Sequence, residues 1–155
     1  MRLNGKWAAG LGLLAMVALA GCAHDEGMKH EAMMGGTTLT AHMTGAQEVP
    51  PTTSTGMGDA TFTVSPDKKT LSWKVTWSGL TGDVGGAHIH GPAAPGANAG
   101  VVINLAPNGV KNPLEGSQPI TEAQLADLMA GRDYVNLHTA ANKGGEIRGQ
   151  ITPAK

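Results

Sequence analysis

From Thr37 onward, apolar and polar positions alternate with a period of two. Leu39, Ala41 and Met43 alternate with Thr40, His42 and Thr44, and Ala60, Phe62 and Val64 with Thr61 and Thr63. Ser65-Pro66-Asp67-Lys68-Lys69 reads as a turn into Leu71, Trp73, Val75 and Trp77, again at every second position. Gly79 and Gly82 end that strand. His88-Ile89-His90 and Val101-Val102-Ile103 follow, separated by a Gly/Pro/Ala loop over 91–100. The last hairpin pairs Tyr134–His138 with Glu146–Ile151 through a turn holding Asn142, Lys143, Gly144 and Gly145, residues that tolerate positive φ. About seven short strands of this kind predict an all-β, antiparallel β-sandwich.

One segment breaks the period. Thr121-Glu122-Ala123-Gln124 is a capping box, with Ile120 and Leu125 placed for a hydrophobic staple. Leu125, Leu128 and Met129 form an apolar stripe, and Gly131 is the expected stop. This predicts one short helix over an end of the sandwich or between its sheets.

The chain has 155 residues, and its first part does not read as fold. Arg2 and Lys6 precede an apolar run from Trp7 to Ala20, the layout of a secretory signal and short for a membrane span. Leu19-Ala20-Gly21-Cys22 resembles the lipobox of bacterial lipoproteins, in which cleavage precedes a cysteine that carries lipid. Cys22 is the only cysteine, so no intramolecular disulfide is expected in the exported chain. The expected organisation is a signal peptide over 1–21, a tether over 22–36 and a β-sandwich domain over 37–155. The tether has no sustained apolar face, ends in Gly35-Gly36, and carries the soft-metal donors His24, Met28, His30, Met33 and Met34. Ala23 after the lipidated cysteine resembles lipoproteins sent to an outer membrane, which places the domain on its periplasmic side.

Charge narrows the partners. Of 11 basic residues, Arg2 and Lys6 leave with the signal, so 9 face 12 acidic residues and the mature chain carries a net −3. That balance offers no electrostatic case for nucleic acid, and membrane attachment would come from lipid at Cys22. No serine sits in a Gly-x-Ser-x-Gly turn and no phosphate-cradling glycine loop precedes a helix.

The chemistry concentrates in three histidines. In a strand, His88 and His90 point to one face and Ile89 to the other. Val135 and Leu137 take one face of the later strand, leaving Tyr134, Asn136 and His138 on the opposite one. If the apolar faces define the core, His88, His90 and His138 lie outside it and converge as a transition-metal site. His42 is the natural fourth ligand. Glu146 is a further ligand candidate, or an acceptor fixing an imidazole tautomer, or an ion-pair partner of Arg148. Asn136 and Arg148 are expected just behind the ligands. A solvated set of surface histidines is the plainer alternative.

Four ordered motifs carry a family resemblance. They are Gly45-Ala46-Gln47-Glu48-Val49-Pro50-Pro51, Ala87-His88-Ile89-His90-Gly91-Pro92, Tyr134-Val135-Asn136-Leu137-His138-Thr139 and Gly144-Gly145-Glu146-Ile147-Arg148-Gly149-Gln150-Ile151. Together they resemble the CHRD (chordin-type) domain family, from about Leu39 to Ile151. The resemblance implies a Greek-key sandwich of the immunoglobulin or superoxide-dismutase type and no settled activity. The His88-Ile89-His90 pair with His138 also resembles, in part, the copper site of copper–zinc superoxide dismutases. The segment 91–113 holds no His or Asp, so a zinc loop is missing.

Three readings follow. The first is an envelope lipoprotein that sequesters or hands over a transition metal, copper before zinc. The second is a metal-free structural module with an envelope protein or glycan partner. The third is a copper-only enzyme acting on superoxide, with Arg148 drawing in the anion.

Overall fold

The computed structural model describes residues 35–155. The signal segment, Cys22 and all of the tether except Gly35 and Gly36 lie outside the described residues. The strands are β1 (Thr37–Thr44), β2 (Met57–Val64), β3 (Thr70–Ser78), β4 (Val84–His90), β5 (Val101–Asn104), β6 (Leu114–Pro119), β7 (Tyr134–Thr139), β8 (Ile147–Gln150) and β9 (Thr152–Pro153). A single α-helix among the described residues, α1 (Glu122–Met129), lies between β6 and β7.

The strands form one antiparallel sheet in the order β5-β4-β7-β8-β1-β2-β3-β6, with β9 also on β1. The sheet curls so that its apolar face closes on itself. Leu39, Met43, Phe62, Leu71 and Val75 from one half meet Ala87, Ile89, Val135, Leu137 and Ile147 from the other in one buried cluster. The two layers expected from the strand pattern are thus halves of a single sheet. Its junction is where Thr44 pairs with Arg148 and Thr40 with Thr152. Gly149 makes this join possible: a Cβ there would stand 2.4 Å from the His42 carbonyl oxygen.

Strand β6 has no counterpart in the sequence reading. Its segment, Leu-Glu-Gly-Ser-Gln-Pro, offers one apolar residue to the core and is recruited by pairing with β3. Gly116 is required where it faces Trp73, since a Cβ would lie 2.6 Å from the indole. The helix is capped as expected, with Thr121 and Gln124 bonded reciprocally and Gly131 at φ +66°. Leu128 is buried, Leu125 packs partly on the core, but Met129 is 41% exposed and is not part of the buried stripe.

Candidate metal centre

The ladder between β4 and β7 sets the geometry. His90 pairs with Tyr134, His88 with Asn136, and Gly86 with His138. Ala87, Ile89, Val135 and Leu137 on the same strands are fully buried in the core, so the histidines occupy the other face. His88 and His138 are diagonal neighbours and come together because Gly86 has no side chain. Their ring centroids are 4.9 Å apart, with His90 at 5.7 Å from His88 and 5.9 Å from His138. One ring nitrogen from each of the three lies within 4.8 Å of the other two.

Backbone bonds fix the tautomer of two of the rings. His90 Nδ1 donates to the Ala99 carbonyl at 3.0 Å, and His138 Nδ1 donates to the Lys143 carbonyl at 3.0 Å. Both bonds leave Nε2 as the free, lone-pair nitrogen. His88 Nδ1, His90 Nε2 and His138 Nε2 are buried and have no hydrogen-bond partner. Buried polar atoms in folded proteins are almost always paired, so three orphans in one place call for a ligand.

Burial also disfavours the charged form of two of the imidazoles. Burial lowers the pKa of His88, helped by the neighbouring His138 and His90. Burial likewise lowers that of His90, against the opposing effect of its bond to Ala99. Neutral imidazole is the metal-binding form.

The face opposite the core is not a solvated surface. Tyr134, Asn136 and Arg148 are each 3% exposed or less, and the 91–100 loop bonds to Tyr134 and Arg148. Arg148 donates to the Ala97 carbonyl at 2.8 Å and to Asn98 Oδ1 at 3.2 Å. Its guanidinium lies 3.3 Å from the Tyr134 ring centroid, and that ring stacks on His90 at 5.0 Å. The Tyr134 hydroxyl accepts the Ala99 N–H at 3.2 Å. Arg148 and Tyr134 therefore pin the loop whose Ala99 carbonyl orients His90.

His42 and Glu146 do not join the cluster. His42 lies on the exposed face of β1 and bonds Asp59 Oδ1 at 2.8 Å, across the β1–β2 pair. Strand order, which alternation alone cannot supply, puts β7 and β8 between β1 and β4. Glu146 is fully buried, but its carboxylate is consumed by the Thr139, Thr81 and Ser54 hydroxyls and the Thr81 N–H, at 2.5–2.7 Å. Burial would raise its pKa, but these donors outweigh it and hold the carboxyl at about 2. It makes no ion pair with Arg148. Its role is to clamp the 139–146 turn, from which Lys143 holds His138.

Two acidic side chains near the site escaped the sequence reading. Glu48 is 6% exposed, against Asn136 and facing Arg148, with burial raising its pKa. Gly145 makes its place, because a Cβ there would be 2.3 Å from Glu48 Oε1. The available signal was a lone acid before Val49-Pro50-Pro51 in an uncharged segment. Asp133, next to Tyr134, is 2% exposed, and burial raises its carboxyl to about 6.

The CHRD domain family matches residues 39–151. No curated protein and no solved structure matches the chain.

Proposed function

The chain belongs to the CHRD domain family, and on that premise we propose that it is a metal-binding protein of the cell envelope, with copper as its ion and zinc as the runner-up. The observation that carries this reading is the meeting of one ring nitrogen each from His88, His90 and His138 within 4.8 Å of one another, in rings that each hold a buried nitrogen with no hydrogen-bond partner. Nitrogens 4.8 Å apart lie about 2.8 Å from their common centre, so each ring need move inward by at most about 0.7 Å to reach an ion at about 2.0–2.1 Å. A metal-free polar network would have paired these atoms with one another or with backbone groups. An all-imidazole donor set suits Cu(II) best among common divalent ions, followed by Zn(II).

The rest of the reading concerns where the site works. A lipid on Cys22 would hold the domain at the membrane, on the periplasmic side of an outer membrane. His24, His30 and the three tether methionines, at 28, 33 and 34, add soft donors that suit capture or handover of Cu(I). Sequestration or transfer is the job this combination fits. Elemental analysis of protein expressed without added metal tests it. Close to one equivalent of copper or zinc per chain supports the reading, and its loss in His138→Ala ties the metal to this site. Metal-free protein that also fails to take up added copper or zinc overturns it.

A further inference from the structure

We infer that the three-histidine centre keeps one coordination position for an exogenous ligand, and that this ligand is an anion. The inference rests on the metal-binding reading above and adds what the site admits beside the metal.

The first ground is the donor count. Among the described residues, no fourth His, Cys, Asp or Glu donor joins His88, His90 and His138. The two nearest sequence candidates are committed elsewhere, His42 to Asp59 and Glu146 to its hydroxyl donors. Three protein ligands with a free position is the pattern of centres that bind a further small molecule, whereas storage sites of structural type are closed.

The second ground is space. The three imidazoles line a pocket of about 450 Å³ together with Gly85, Gly86, Val101 and Ala140. Gly85 stands at its edge, exposed, where an added Cβ would meet nothing within 4 Å. Val101, 55% exposed, forms another part of the rim. The floor is thus open to solvent through a mouth of small side chains.

The third ground is charge. The three imidazoles bring no negative charge to the ion, because an imidazole ligates through a neutral nitrogen. Lys143 and Asp83 both line the pocket and offset each other. The field in the pocket is then set by the uncompensated divalent ion, which favours an anion over a neutral ligand.

Azide is the probe. The full domain is first titrated with Cu(II) to establish loading, and the loaded protein is then titrated with azide while optical and EPR spectra are recorded. A new azide-to-copper absorption band and shifted EPR parameters, saturating at one azide per copper, are expected. Gly85→Leu and Val101→Phe, which narrow the mouth without replacing a ligand, should load copper as the parent does. Each should weaken azide by about tenfold or more, the scale of a modest steric clash. Full copper loading with spectra that azide leaves unchanged overturns the open position while leaving the metal site standing. Failure to load copper overturns both. Azide binding that neither narrowed variant weakens overturns this pocket as the ligand's seat; if one variant does not fold, the other decides.

Discussion

Gly86 lies directly across the β4–β7 ladder from His138, and the missing side chain is what lets His88 lean toward it. A Cβ at position 86 would sit 3.1 Å from His88 Cε1 and 3.8 Å from His138 Cδ2. The centre is therefore shaped by a residue that contributes no donor. Gly86→Val is expected to leave the fold intact and to weaken Cu(II) binding by about 10–100-fold, the usual cost of disturbing a ligand's support. Competition titration against a chelator of known affinity checks this. Unchanged affinity would mean the rings do not depend on the gap.

Glu146 is a structural clamp by this account, so its loss should act on stability before it acts on metal. Glu146→Ala strands the hydroxyls of Thr139, Thr81 and Ser54 and the Thr81 N–H. A cost of about 3 kcal/mol or more is expected from several buried groups left unpaired. The parent's pH dependence carries the same signature. With a folded pKa of about 2 against an ordinary 4.5, the carboxylate's contribution is present above 4.5 and is lost as pH falls toward 2. Urea unfolding across that range reads both effects.

Asp133 should behave in the opposite sense. Its folded pKa of about 6 lies above the ordinary 3.8, so the folded state holds the proton more tightly. Stability from this group is full below 3.8 and is lost as pH rises through about 6. Asp133→Asn removes the buried charge and should stabilise the protein by about 1–3 kcal/mol at about pH 7, with no gain at about pH 4. Thermal unfolding of the two proteins at both pH values provides the comparison. A larger gain at the acid end would contradict the assignment.

His88 and His90 predict how the metal-free protein responds to acid. Both have pKa values below the ordinary 6.5, so the unfolded chain binds more protons than the folded one. Stability of the metal-free domain should fall as pH drops from 6.5 through the lowered folded values, and His88→Ala should flatten that fall. The same lowering means bound copper should persist somewhat below 6.5 before protons displace it. Melting curves with and without chelator, taken across this window, measure both.

The period-two runs made most of the sheet legible. Leu39, Phe62, Leu71 and Val135 sit in the core because a half-buried strand announces its faces one residue at a time. The helix was legible through its capping box, whose bonds are local. Strand β6 was not, because its place comes from pairing with β3 and not from its own composition. The three histidines could be gathered by parity alone, since β4 and β7 are neighbours. Parity could not place His42 or Glu146, whose fates depend on strand order and on partners such as Asp59 and Thr81, distant in sequence. It also left open whether the second face was solvated. The burial of Tyr134 and Arg148 under the 91–100 loop is a tertiary event, held by bonds from Arg148 to Ala97 and Asn98.

The central claim is that His88, His90 and His138 hold one ion between them. Cu(II) titration of the domain followed by EPR tests it most directly. The account predicts one tightly bound copper per chain with nitrogen hyperfine structure, abolished in His88→Ala/His90→Ala while the variant stays folded. Copper binding that survives this double substitution with the same spectrum would contradict it.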